Sequence, residues 1–270
     1  MAYNLLKGKR GIIFGALDSS SIAWKVAEKC HEEGATFTLT NAALALRMGA
    51  LNELAKNTGS EIIPADATSI EELENLFQKS SEILGGKIDF VLHSIGMSPN
   101  IRKKKAYEDL NYDWYLKSLD ISALSFHKVM SVAYKNDMMN DHGSILALSY
   151  IAAQRVFPDY TDMAQAKAAL ESIARSFGYV FAKKNKVRVN TISQSPTVTT
   201  AGKGIEGFNA FMDFAEKMSP LGNASAEDCA DYCVTMFSDL TKKVTMQNLM
   251  HDGGFSTTGI TDDIITQMEK

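Results

Sequence analysis

Tyr150, Tyr160 and Lys167 lie within one short stretch, YIAAQRVFPDYTDMAQAK. The spacing of Tyr160 and Lys167 places both on one face of an α-helix, two turns apart. Tyr150 follows a short apolar run, Ile145 to Leu148, which stops at Ser149 and reads as a buried strand. Pro158 and Asp159 then punctuate the chain, and a helical pattern runs from about Tyr160 to Lys183. If that helix packs back on the sheet, two phenols and an ammonium converge at a strand's C-terminal end, where open α/β sheets bind ligands. An unperturbed phenol titrates near pH 10. Its use as a donor therefore depends on a neighbouring cation and on the site around it. A Tyr and a Lys at helical spacing are also a common packing pair, and only the rest of the chain separates the two readings.

The remaining elements read as strand–helix units in series, hence a parallel, doubly wound sheet with helices on both faces. Gly11 to Phe14 is a buried first strand. The turn Gly15 to Ser21 opens on a helix whose apolar face carries Ile22, Ala23, Val26, Ala27 and Cys30, and which stops at Gly34. Free N–H groups at that helix start form an anion site. The three spaced glycines of a dinucleotide fingerprint are absent, and Ser19, Ser20 and Ser21 stand where their hydroxyls can add donors. The turn reads equally as a phosphate cradle or a capped helix start. Thr36 to Thr40 is a second strand. It ends in Asn41 and Ala42 rather than the acid that usually holds the adenosine ribose. Arg47 lies nearby, positioned for a 2′-phosphate or for solvent, so NADH and NADPH both stay open.

Glu61 to Ala65 is a third strand, leading to Asp66 and Ala67. A capping box, Ser69 to Glu72, starts the next helix. Ile88 to His93 is the fourth strand. A basic run, Arg102 to Lys105, reads as a solvated loop, and a long helical stretch, broken in places by Asn and Asp, is expected from about Leu110 to Met139. Val187 to Ile192 is another strand. It runs into SQSPTVTTAGKGIEG, the longest irregular segment, read as a mobile substrate loop. Phe208, Phe211, Met212, Phe214, Ala215 and Met218 follow at helical spacing, as core packing or as a lid for an apolar substrate. A capped helix starts at Ser225, and a last strand reaches Asp252-Gly253-Gly254. A single domain spanning residues 1–270 is expected, with a substrate loop and helix at about 195–220.

Composition excludes several classes. The chain has 270 residues, 45% hydrophobic and 22% charged, with a formal net charge of −4, which argues against a nucleic-acid binder. No apolar run approaches the roughly 18 residues that span a bilayer. MAYNLLKGKR lacks an apolar signal core, so a cytoplasmic protein is expected. Cys30, Cys229 and Cys233 are too few for a disulfide frame and read as reduced, buried thiols; no metal site is expected.

These parts resemble the short-chain dehydrogenase/reductase superfamily, and within it the type I, NADH-dependent bacterial enoyl-[acyl-carrier-protein] reductases. The resemblance runs from about Leu6 to Phe255. It rests on G-x5-S-I-A (Gly15, Ser21, Ile22, Ala23), HSIG (His93 to Gly96), LSY (Leu148 to Tyr150), Y-x6-K (Tyr160, Lys167), RVN-x-IS (Arg188 to Ser193) and HDGGFS (His251 to Ser256). Ordinary members of the superfamily carry Y-x3-K; here the residue four before Lys167 is Met163, which has no proton to give. The chain departs from the better-known enoyl reductases at Ser195, usually Gly, and at Asn41-Ala42.

The resemblance implies a Rossmann-type fold, a homotetramer and an acyl-carrier-protein partner, the last supported by the basic run and by Lys203. It implies that Gly15, Ser21 and Ile22 line the pyrophosphate and ribose, that Ala42 lies near the adenosine, and that Asp66 and Ala67 hold the adenine. Ile95 and Lys167 would meet the nicotinamide side, and Thr197, Val198, Thr199, Thr200 and Ala201 would close over the cofactor. Ser98 would contact substrate, Tyr160 would hydrogen-bond the thioester carbonyl, and Tyr150 would be a second catalytic residue. Two other readings compete: a 3-oxoacyl or other carbonyl reductase of the same superfamily, and a non-catalytic nicotinamide-binding sensor.

Overall fold

The computed structural model describes residues 2–47, 50–199 and 208–269. The short apolar runs form strands β1 (Arg10–Phe14), β2 (Thr36–Thr40), β3 (Glu61–Ile62), β4 (Ile88–His93), β5 (Met139–Ser149), β6 (Arg188–Gln194) and β7 (Asn248–His251). All pair in parallel in one sheet of order β3-β2-β1-β4-β5-β6-β7. Such a sheet is covered on both faces, which is why β1 and β4 read as largely apolar runs, whereas β6 buries polar side chains along its whole length.

The helices are α1 (Ile22–Glu32), α2 (Ala43–Leu46), α3 (Leu51–Thr58), α4 (Ile70–Leu84), α5 (Pro99–Arg102), α6 (Tyr112–Leu119), α7 (Ser125–Lys135), α8 (Thr161–Asn185), α9 (Phe208–Met218), α10 (Ala226–Phe237) and α11 (Asp262–Met268). Trp24, Val26, Leu54, Cys233 and Phe237 of α1, α3 and α10 form one core layer with Ile13 and Leu39. Leu73, Phe77, Phe126, Val129, Leu170 and Phe181 of α4, α7 and α8 form the other, with Ile12 and Val91. The three cysteines are free and buried in the α1/α10 layer. Among the described residues no helix is long and apolar enough to cross a membrane.

Several expected boundaries move. β3 stops at Ile62 because Pro64 has no N–H for the ladder, although Ile63 and Ala65 still donate to Leu39 and Asn41. The helical stretch expected from about Leu110 to Met139, broken in places by Asn and Asp, is α6, a π-helical turn (Asp120–Leu124) and α7, and Met139 already belongs to β5. Asp137, at φ 54°, turns the chain out of α7. β7 ends at His251, short of the glycines, since Gly253 and Gly254 take positive φ. Only half of the Ser69 capping box forms. The Ser69 hydroxyl accepts from Glu72 N–H, but the Glu72 carboxylate reaches past it to accept from Asp66 N–H at 2.8 Å. The Ser225–Asp228 box closes in both directions.

The sheet order reverses between β1 and β4, and the crevice that opens there lies beside Gly15. Gly15 has φ +92°, and its N–H donates to Thr40 O. A Cβ at this position would lie 2.0 Å from the Ser94 carbonyl oxygen. Gly15→Ala is expected to lower stability by more than about 2 kcal/mol, read as a lower urea midpoint; an unchanged midpoint would show that the β1 and β4 ends part easily.

Candidate active site

Because every strand is parallel, the ends of β1, β4, β5 and β6 lie on one edge of the sheet. Tyr150 leaves β5 there. Tyr160 reaches the same edge from a 3-10 turn (Pro158–Tyr160) that precedes α8, so it stands just before the helix that the spacing had placed it on. The two rings meet with centroids 5.0 Å apart and planes tilted by 56°. Phe157 and Phe211 pack on Tyr150, and Phe255 packs on both phenylalanines. This box of rings joins the segment before α8, α9 and the turn after β7. Phe157 and Phe255 were not among the expected site residues. An aromatic residue before Pro158 and the HDGGF motif were the only signals for them.

Burial moves the titratable groups in opposite directions. It pushes the Tyr160 phenol up, and it pushes the Tyr150 phenol up with a further contribution from Tyr160. The tuning is therefore the reverse of the expected cationic depression, and both groups keep their protons at neutral pH. Among the described residues, the buried Tyr150 hydroxyl has no protein partner.

Lys167, 8% exposed, donates from Nζ to the Leu148 carbonyl oxygen at 2.8 Å, at the end of β5. Burial lowers it to about 8, opposed by the charge of Glu171 one helical turn away. Glu171 is itself buried and accepts from Ser149 Oγ and Gln154 Nε2. Gly96 passes close to the amine: a Cβ there would lie 3.7 Å from Lys167 Nζ and 3.9 Å from Met163 Cε.

His93 closes β4 beneath this edge, buried, with Nε2 2.8 Å from Ser125 Oγ. Ser125 donates its one proton to Ile121 O, so His93 carries its hydrogen on Nε2. Burial lowers the imidazole to about 3, and it is neutral.

The turn after β1 is held by its own side chains. Asp18 accepts from Ser20 N–H and Oγ, and Ser21 Oγ donates to Asp18 O and accepts from Leu17 N–H. The Ser20 and Ser21 hydroxyls thus serve the turn first. Gly15 precedes this turn, and the N-terminus of α1, where Ile22 is half-buried, follows it. Asn41 donates to Ala16 O and accepts from Ala42 N–H, locking the end of β2 to this turn. Asp66 is exposed; its Oδ1 accepts from Thr68 N–H and Oγ1, and Ala67 is buried beside it. Ile95 is half-buried on the second core layer.

The segment after β6 lies across this row. Thr197 donates to Ser195 O, and Val198 is half-exposed. Ser195 accepts from Ala224 N–H, an anchor that a glycine there would lack. A cavity of about 430 Å³ opens between Ser19, Ser20, Thr197, Val198, Met212 and Ser225. Thr199 is described, whereas Thr200, Ala201 and Lys203 lie outside the described residues. Ser98, expected at the substrate, is 4% exposed; it caps α5 and donates to Asp162 Oδ1 at 2.6 Å.

Thr161, the first residue of α8, has φ 29° and ψ −127°. Such a conformation in a β-branched residue costs on the order of 1–3 kcal/mol.

Lys167 also makes stability depend on pH. Its folded value of about 8 lies below its ordinary 10.5. Between these values the unfolded chain holds the proton and the native protein releases it, so this group makes stability rise with pH across that window. Urea midpoints from pH 8 to 10.5 are expected to rise more for the native protein than for Lys167→Met; parallel slopes would place the amine in water.

Residues 15–256 match the family model described as Enoyl-(Acyl carrier protein) reductase. The chain is 35% identical over 261 residues to enoyl-[acyl-carrier-protein] reductase [NADH] 1 of Rhizobium meliloti (strain 1021), covering 96% of this chain and 94% of that protein. A FabI–NADH complex from Alistipes finegoldii is 63% identical and aligns with a TM-score of 0.95, covering 97% of this chain and 92% of that one. The Bacillus cereus enoyl-acyl carrier protein reductase, solved with NADP+ and indole naphthyridinone, is 32% identical with a TM-score of 0.89, covering 96% and 100%. With the parallel sheet, the Gly15 turn and the paired tyrosines in place, the chain belongs to the enoyl-[acyl-carrier-protein] reductase family.

Proposed function

We propose that this chain reduces the trans-2 double bond of an enoyl thioester carried on acyl carrier protein, with NADH as the cofactor, in fatty acid elongation. The observation that carries the reading is the meeting of Tyr150 and Tyr160, 5.0 Å between centroids, beside Lys167 on the C-terminal edge of the sheet. The residues present suit a dinucleotide. Gly15 lets the Ser94 carbonyl approach and so keeps the ends of β1 and β4 together beside the α1 N-terminus, which offers N–H donors, and among the described residues the buried Tyr150 hydroxyl has no protein partner. Bound NADH would be held by Gly15, Ile22, Ala42, Asp66, Ala67, Ile95, Lys167 and the 197–201 segment, and it supplies the hydride.

The chain's own part is orientation and field. Reduction at the β-carbon leaves negative charge on the thioester carbonyl oxygen, as an enolate. Tyr160, kept protonated by burial, donates a hydrogen bond to that oxygen. Tyr150 shares the ring contact and orients it. Lys167, below its value of about 8, holds positive charge at the same edge and grips the ribose hydroxyls. The aromatic box keeps water from the acyl chain. The carbonyl-reductase alternative lacks a donor at Met163, which is buried. The reading includes assembly as a homotetramer.

Tyr160→Phe is expected to lower kcat for crotonyl thioester by about 100-fold while NADH binding, followed by nicotinamide fluorescence, persists. An unchanged rate would remove Tyr160 from the mechanism. Arg102 to Lys105, exposed at the end of α5, form the expected docking surface for the acidic carrier. Charge reversal at Lys103 and Lys105 should raise KM for carrier-bound substrate and leave KM for a small thioester alone; an equal rise for both would defeat the docking assignment.

A further inference from the structure

Asp162 is fully buried, two residues after Tyr160, in the first turn of α8. Four donors reach its carboxylate. Ser98 Oγ lies at 2.6 Å and Thr161 Oγ1 at 3.1 Å from Oδ1; Ser118 Oγ lies at 2.7 Å and Asn100 Nδ2 at 2.8 Å from Oδ2. Ser98, Thr161 and Asn100 donate to it, and Ser118 shares its single hydroxyl proton between Asp162 Oδ2 and Trp114 O. The helix N-terminus adds favourable field. Asn100 is tied onward to Asn111 through both its amide atoms, and its carbonyl accepts from Lys105 N–H. One side chain thus joins the turn after β4, α5, α6 and the start of α8.

An apolar residue would fill the same volume without the cost of desolvating a charge, so what the carboxylate adds over bulk is direction. Its hydrogen bonds to Thr161 and to three side chains outside α8 lie next to the strained backbone at Thr161, whose φ of 29° sets how Tyr160 enters the helix. We propose that Asp162 is a positioning residue for the Tyr160 phenol, holding Thr161 in its strained conformation and fixing the phenol to the 98–118 segment. The proposal rests on Tyr160 as the hydrogen-bond donor to substrate.

The test is a double-mutant cycle with full-length protein, NADH and crotonyl thioester. Asp162→Asn puts an amide where Asn100 also presents one, and kcat should fall about tenfold with KM for NADH within about twofold, the range a small misplacement of a reacting group produces. In a Tyr160→Phe background the same change should cost less than about twofold, because the phenol it positions is gone. The exchange Asp162→Asn with Asn100→Asp restores an amide–carboxylate pair and should recover most of kcat. A tenfold loss in both backgrounds overturns the proposal, since a structural defect would not depend on the phenol. If Tyr160→Phe alone leaves the rate unchanged, the failure belongs to the Tyr160 assignment and takes the proposal with it. Should Asp162→Asn not fold, Ser118→Ala removes one donor from Oδ2 and keeps the charge. Its smaller loss must likewise vanish without the phenol, and persistence would overturn the proposal.

Discussion

The contact between Gly15 and the Ser94 carbonyl is the constraint on which the other features rest. It lets β1 and β4 end side by side where the strand order reverses. A side chain at residue 15 would part the two ends and displace both the turn after β1 and the Ser94–Gly96 turn. That turn passes beside Lys167, and Lys167 is bound to the end of β5. Backbone geometry at one residue therefore aligns the edges of three strands.

Desolvation then sets the electrostatics of this edge. It acts against whichever form is charged, raising the two phenols and lowering the amine and the imidazole. The result is a pair of protonated donors, a neutral histidine and an ammonium that titrates close to physiological pH. That combination suits stabilising an oxyanion better than transferring a proton early. Glu171 moderates the amine from one turn away while it orders the Ser149–Gln154 segment.

Three polar side chains act as local anchors around the site. Ser195 accepts from Ala224 N–H and so ties the segment after β6 to the start of α10. Asn41 spends its amide on Ala16 and Ala42, tying the end of β2 to the turn after β1. Asp18 organises a serine-rich turn in which glycines are scarce.

Periodicity and punctuation determined the sheet, its parallel sense and most of the helix starts, because burial on two faces demands apolar strands and free N–H groups demand caps. The spacing of Tyr160 and Lys167 after a strand marked the chemistry as well. Long-range matters were out of reach of the sequence. The break of the 110–139 stretch at a π-helical turn, the joining of Phe157, Phe211 and Phe255 around Tyr150, and the burial of Ser98 against Asp162 each depend on residues far apart in the chain. The direction of the phenol shift was equally hidden. A motif names the groups, whereas a pKa depends on how much water the folded protein removes from around them. Residue types and spacing determined which groups are available; packing alone decided which of them meet, and in which protonation state.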